Sequence, residues 1–365
     1  MYQIDNKSIV DLFLKLVSID SPSKNEGEIR SFIVDYLHRK NIRTAVDARG
    51  NIFAYLSDSY DEKAILFASH IDTVPSAVDV NPVCTEDEIH TDGKSALGAD
   101  NKAAVASMLY AVDHLAAMKD ATVPVVYLFS VSEETGLDGV RELDLSLLPP
   151  VSEAFIPDAH GPIGNIIAQS PAKLDASITF HGKTAHAGFC PEEGISAISL
   201  ASRAIDQMKL LRIDETTTAN IGTISGGTVT NIVPDSCTIH LEVRSDTKEK
   251  CYAHLAHLEL CCIKAVGALG GSYDIESDLR YPGYSMDENQ KPIIHLQKVF
   301  SAMGFEGKMI ASGGGSDTNI LRDYGIDALT ISSGYTHAHS EQERIPLSAF
   351  CDLTKIILDL AKRES

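Results

Sequence analysis

Acids and histidines recur in this chain at one kind of place, just past short apolar runs. Residues 64–68, Ala-Ile-Leu-Phe-Ala, lead through Ser69 into His70-Ile71-Asp72. An imidazole there can bind a metal ion, and a carboxylate two residues on can hold its other ring nitrogen. Asp100 sits in Gly98-Ala99-Asp100-Asn101-Lys102, at the mouth of a helix. A carboxylate so placed caps the helix, or bridges two ions ~3.5–4 Å apart. The apolar run ending at Val131 delivers Glu133 and Glu134 together. One can ligate a metal while the other takes a proton from attacking water. Asp158 follows Ala154-Phe155-Ile156, and His337 and His339 both follow the run 328–332.

Taken singly, these are a surface histidine, a helix cap and a solvated turn. Taken together they are two histidines, three carboxylates and a spare glutamate, each beside a buried run. In open α/β sheets, ligands gather outside the carboxyl ends of the strands. Nitrogen and oxygen ligands without thiolate suit zinc, and also manganese or cobalt. Either His337 or His339 can complete the set.

The elements that must position these residues can be read from periodicity. Asn6 or Ser8 caps a first helix with Ile9, Leu12, Leu14, Leu16 and Val17 as its apolar positions. Residues 26–39 and 102–117 carry helical spacing, while 64–68, 123–131 and 153–156 are continuous apolar runs that suit strands buried on both faces. Strand and helix alternate, which predicts an α/β layer with a mainly parallel sheet flanked by helices. The pattern changes near Lys173. Alternating runs at 174–180, 219–224, 237–243 and 272–279, with helices at 194–211 and 247–269, predict a small α+β domain inserted in the first. The expected boundaries are 1–172, 173–286 and 287–365. After Pro282-Gly283 the first pattern resumes, with helices at 292–303 and 347–361 around a strand at 328–332.

The chain has 365 residues, 44% hydrophobic and 22% charged, so two domains of an ordinary globular protein are expected. A formal net charge of −20 repels phosphate backbones and argues against nucleic acid. No segment offers the ~18–20 apolar residues of a membrane helix. The first residues lack the basic start of a signal peptide, and seven cysteines follow no disulfide framework, so a cytoplasmic protein with reduced thiols is expected.

Eight motifs resemble one family. They are His-Ile-Asp-Thr-Val at 70–74, Gly-Ala-Asp-Asn-Lys-Ala at 98–103, Ser-Glu-Glu-Thr-Gly-Leu at 132–137 and Asp-x-x-Gly-Pro-Ile-Gly at 158–164. Thr-Ala-His-Ala-Gly at 184–188, Asn-Ile-Val-Pro at 231–234, Glu-Val-Arg-Ser at 242–245 and Gly-Gly-Gly-Ser-Asp at 313–317 follow in order. The chain resembles the dinuclear-zinc exopeptidases that include peptidase T, carboxypeptidase G and aminoacylase, and within them the shorter, tripeptidase-like members of the peptidase T branch.

The resemblance implies that His70, Asp100 and Asp158 hold one zinc ion, and Asp100, Glu134 and His339 the other. His339 is chosen over His337 because Glu343 follows it by four residues. Glu133 becomes the general base, Asp72 orients His70, and His186 stabilises the oxyanion from the inserted dimerisation or lid domain of a partner subunit. Asn231, Arg244 and the backbone at Gly314 contact a short peptide. A homodimer through the inserted domain is implied. The expected activity is hydrolysis of short peptides by a tripeptidase-type aminopeptidase. A dipeptidase, carboxypeptidase or N-acyl amino acid deacylase would share the scaffold. A silent peptide-binding protein would have no need of Glu133.

Three other features are set aside. Cys251, His254, His257, Cys261 and Cys262 read as buried positions of one helix, not a metal cluster. Ser316-Asp317 lacks a nucleophile elbow. Gly313 to Gly315 lacks the lysine and hydroxyl residue of a phosphate loop.

Overall fold

The computed structural model describes residue 2 and residues 4–363. They form two compact units. The first comprises residues 1–168, 286–312 and 316–365, and the second 169–285 with 313–315.

Four parallel strands lie at the centre of the first unit's sheet, in the order Val125–Ser130, Ala64–His70, Val151–Ala159 and Ala328–Ser332. The first three read as near-continuous apolar runs because both faces are covered; Ala64–His70 and Val125–Ser130 are buried at every residue. Leu66, Phe67, Leu128 and Phe155 have no exposed surface. Each such side chain contributes about 1.5–3 kcal/mol on burial. Two antiparallel strands, Ile52–Tyr55 and then Arg43–Val46, extend the sheet beyond Val125–Ser130. On its far side Ala328–Ser332 pairs antiparallel with the strand Asn165–Ser170.

The helix Ala99–Ala117 packs on Asn6–Val17 and Leu347–Leu360. Ala103, Ala104, Ala106 and Ala111 let it approach its neighbours closely, and Val105, Met108, Leu109 and Val112 are buried among them. Burial all round accounts for its lack of a polar stripe. The first helix is capped by the Asp5 side chain, which accepts from the Lys7 N–H, and not by Asn6 or Ser8. Its buried face is Ile9, Phe13, Leu16 and Val17, so Phe13 takes a place assigned above to Leu12 and Leu14.

The second unit is one antiparallel sheet in the order Leu211–Arg212, Thr218–Gly226, Ser236–Ser245, Ala172–His181 and Ser272–Tyr281. Its two long inner strands alternate. Ala172, Leu174, Ala176, Ile178 and Phe180 face the core, as do Cys237, Ile239, Leu241 and Val243. The helices Ala197–Ile205 and Lys248–Leu269 cover that side. The first is shorter than its spacing predicted, because Gly194 ends a 3₁₀ turn and Leu211 belongs to a strand. Cys251, Cys261 and Cys262 are core residues of the second helix, and burial pushes the Cys262 thiol up to about 12. His254 is spent on the Lys209 carbonyl, 3.1 Å from its Nε2.

Candidate active site

All five residues expected to hold metal lie in the first unit: four at or just past the carboxyl ends of its parallel strands, and Asp100 at the start of the helix Ala99–Ala117. His70 ends one strand and stands in register with Ser130 of the next. Glu133 and Glu134 follow Ser130 by one turn. Asp158 is at the end of Val151–Ala159. His339 comes from the loop after Ala328–Ser332, where both it and His337 adopt positive φ. Gly98, at φ +72, turns the chain into the alanine-rich helix and presents Asp100; the Asp100–Asn101 peptide is cis.

The distances sort these side chains into two groups that share Asp100. His70 Nε2 is 3.1 Å from Asp100 Oδ1 and 3.2 Å from Asp158 Oδ1. His339 Nε2 is 3.2 Å from Asp100 Oδ2 and 2.9 Å from Glu134 Oε1. Each Asp100 oxygen therefore faces a different imidazole. The potential ligand atoms of His70, Asp100 and Glu134 all lie within 4.8 Å of one another. Donors bound to one tetrahedral ion at about 2.0–2.1 Å stand about 3.3 Å apart. The observed spacings are close to that figure, so the donor set fits two cations bridged by Asp100. The Glu134 Oε1 atom supports this: it is buried and lacks a hydrogen bond of proper geometry although His339 Nε2 is beside it.

The electrostatics point the same way. Burial pushes the Glu133 carboxyl well up, with His70 opposing and Asp158, Glu134 and Asp317 adding to the rise. Burial likewise pushes Asp158 up to about 7 against the attraction of His70. His339 is raised to about 10 by its contacts with Asp100 and Glu134. Burial opposes charge on His70, yet Asp158, Asp100 and Asp72 together raise it well above the usual imidazole range. Too many carboxylates share too few cations, which is the condition that bound metal relieves.

Supporting residues hold this arrangement. His70 Nδ1 bonds to the main-chain oxygen of Asp72 at 2.9 Å and lies 3.4 Å from its carboxylate. The Asp72 side chain does more than orient the imidazole: its Oδ1 accepts from Glu133 N at 3.0 Å and its Oδ2 from Glu134 N at 3.2 Å and Ser23 Oγ at 2.7 Å. It thus holds the turn that carries both glutamates. Glu343 accepts from the N–H groups of Leu97, Gly98 and Asp100 at 2.8–2.9 Å, fixing the loop that presents Asp100. Asn101 donates to Asp158 Oδ1 at 2.7 Å, and the Tyr335 hydroxyl donates to the Asp158 carbonyl oxygen at 2.8 Å. Sequence reasoning used Glu343 only as a spacing mark. Asn101 and Tyr335 adjoin the motifs and could have been found by that nearness. Ser23 has no such signal, because it lies in a polar loop far along the chain.

The remaining expected residues lie in the second unit. His186 is exposed, and its Nδ1 accepts from the N–H groups of Gly188 and Phe189 at 3.1 and 3.2 Å. With Nδ1 so engaged, Nε2 is the ring nitrogen left to donate to a ligand. Asn231 is its neighbour, through the bond from Ala187 N to the Asn231 carbonyl at 3.0 Å. Arg244 is paired with Glu242 and donates from Nη1 to the Gly313 carbonyl at 3.0 Å, which sets it beside Gly314.

Comparison with known proteins agrees with this geometry. Residues 172–264 match the family model of a peptidase dimerisation domain, the M20 type, and residues 51–144 match that of peptidase family M28. The chain is 35% identical to the uncharacterised protein YqjE of Bacillus subtilis, over 97% of this chain and 98% of that one. Its fold superposes on a tripeptidase of Staphylococcus aureus with a TM-score of 0.91 and 31% identity, covering 99% of both chains. Aminopeptidase PepT of Bacillus cereus gives 0.86 and 32%, covering 98% of both. With likeness of this extent, and with a cluster of histidines and carboxylates at the sheet edge that could hold metal, the chain belongs to the family of metallopeptidases that includes the staphylococcal tripeptidase and PepT.

Proposed function

We propose that this chain is a two-zinc aminopeptidase of the tripeptidase type, acting on short peptides in the cytoplasm. The observation that carries the reading is Asp100, with one oxygen on each of two histidine–carboxylate groups and the half-buried Glu133 beside them. The likeness to the staphylococcal tripeptidase and to PepT supports peptide length and direction. Seven free cysteines suit a reducing compartment.

His70, Asp100 and Asp158 would hold one zinc ion, and Asp100, Glu134 and His339 the second. Bound there, the ions would supply Lewis acidity toward the scissile carbonyl and the attacking water. Glu133 takes the proton of that water and later delivers it to the departing amine. Its raised pKa suits both halves of the task. Asp72 keeps Glu133 in place through the Glu133 N–H. His186 presents its Nε2–H as an oxyanion donor. Asn231, Arg244 and the backbone at Gly314 hold the polar ends of the peptide.

Two copies pair through the second unit. Thr218–Gly226 is paired on its outer side only at Thr218 and Ala219, so the rest of that edge is open among the described residues. Ile224, Val229 and Ile232 are exposed on or near it. An open edge strand pairs with its own copy about a two-fold axis. His186 belongs to this unit and serves the partner subunit.

Hydrolysis of Ala-Ala-Ala, Ala-Ala and N-acetyl-alanine by zinc-loaded protein, with a chelated control, tests the reading. Release of alanine from the tripeptide alone, abolished by chelation, is the expected result. Cleavage of N-acetyl-alanine instead makes the protein a deacylase, and turnover that survives chelation removes the metal from the chemistry.

A further inference from the structure

Phe189 is the most exposed large apolar side chain among the described residues, at 85%. Single exposed apolar residues are ordinary on a surface and carry no meaning by exposure alone. What sets Phe189 apart is that it is fastened to His186. Its ring stacks on the imidazole, with centroids 4.3 Å apart and planes tilted by 34°. Its N–H is shared between His186 Nδ1 and the His186 carbonyl oxygen, 3.2 Å from each. Cys190 N donates to that same carbonyl at 3.1 Å, and Ala187 N donates to the Asn231 carbonyl at 3.0 Å. The turn 186–190 is thus closed on itself and tied to the loop that carries Asn231. The two rings form one piece. Wherever Nε2 of His186 is presented, the Phe189 ring is presented with it.

That coupling fixes what the ring can meet. An oxyanion held by Nε2 at about 2.9 Å lies roughly 6 Å from the Phe189 centroid, given the stacking distance. The carbonyl that becomes this oxyanion belongs to the N-terminal residue of the peptide, whose Cβ is two bonds from the carbonyl carbon. An aliphatic side chain on that residue comes within van der Waals reach of the ring, and a methyl group falls short of it. We propose that Phe189 is a specificity-determining residue. It forms an apolar wall for the side chain of the N-terminal residue, and so favours peptides that begin with leucine over those that begin with alanine. This role rests on the peptidase reading, which gives His186 its oxyanion; the coupling of the two rings does not.

Steady-state kinetics of the zinc-loaded full chain on Leu-Ala-Ala, Ala-Leu-Ala and Ala-Ala-Ala, with Phe189→Ala and Phe189→Leu, test it. The side chain is exposed, so neither substitution opens the core. In Phe189→Ala the ratio of kcat/KM for Leu-Ala-Ala to that for Ala-Ala-Ala is expected to fall about tenfold, the scale on which an apolar pocket reads a methylene or more. Phe189→Leu should restore most of that ratio. A ring that only steadies His186 would lower kcat on all three peptides by one factor and leave the ratio where it was. That result overturns the proposal, as does a shift confined to Ala-Leu-Ala. N-acetyl-alanine and N-isocaproyl-alanine separate it from the peptidase reading. If these are cleaved in place of peptides, and Phe189→Ala lowers the isocaproyl-to-acetyl ratio, the wall stands and the peptidase reading falls. A chain that hydrolyses neither kind of substrate sinks both.

Discussion

Glu133 and Glu134 are adjacent in the chain, yet they differ in what surrounds them. Glu134 is 2.9 Å from His339, whereas Glu133 has no imidazole at such a distance among the described contacts. Glu133→Gln keeps the shape and removes the base. It should leave two metal ions per chain by mass spectrometry of the eluted metal and lower kcat by about 10²–10⁴-fold or more. Undiminished turnover would contradict the assigned role. Lys102 offers a second test at this scale. Burial lowers its pKa from 10.5 to about 8, and its Nζ donates to the Ile19 carbonyl at 2.7 Å. Between pH 8 and 10.5 the unfolded chain holds this proton more tightly than the folded one. Stability therefore rises with pH across that window, by roughly 3 kcal/mol, and the penalty is complete below pH 8. Lys102→Met removes this rise. Urea titrations at pH 8 and 10 should show it as a smaller difference between the two pH values than in the parent chain. An equal difference would mean that Lys102 ionises normally.

The elements were legible to the degree that their burial is one-sided or complete. The run 64–68 suits a doubly covered strand, and the alternation at 174–180 suits a half-covered one. What escaped was short or locally unremarkable. Arg43–Val46 has no buried residue, and Pro82–Cys84 and Glu88–Thr91 make a small three-stranded sheet with Arg344–Pro346 from the far end of the chain. Such pairing leaves no period in the sequence. The site was legible for the same reason as the strands, because acids directly after a buried run have few places to go. Its supports were hidden because they cross the chain: Glu343 reaches Leu97, Gly98 and Asp100 over more than 240 residues of sequence. Glu343→Ala would leave three N–H groups without their acceptor and free the loop that presents Asp100. Chelator competition should then show metal affinity reduced by about 10–100-fold, the usual cost of losing a group that orients a ligand. Unchanged affinity would mean that the loop holds its shape alone.

At the scale of the molecule, the proposed pairing of two copies runs along the open edge of Thr218–Gly226. Ile224→Lys places a charge on it, a device by which edges avoid pairing. Light scattering is expected to fall from a two-chain to a one-chain mass, and kcat to fall with it by about 10²-fold, since His186 would have no partner site to serve. A two-chain mass in the variant would move the interface elsewhere. The same division of the chain has a consequence for synthesis. Val151–Ala159, which carries Asp158, waits for its neighbour Ala328–Ser332 until roughly 170 more residues have been made. At about 5–20 residues per second that is some ten to thirty seconds on the ribosome. Through that interval an apolar strand edge stands open and His339 does not yet exist, while the inserted unit is completed within it, its strands by residue 285 and the three glycines at 313–315 after them. A nascent chain stalled between residues 316 and 327 should therefore carry a folded second unit attached to a first one that is sticky and unable to hold its full complement of metal.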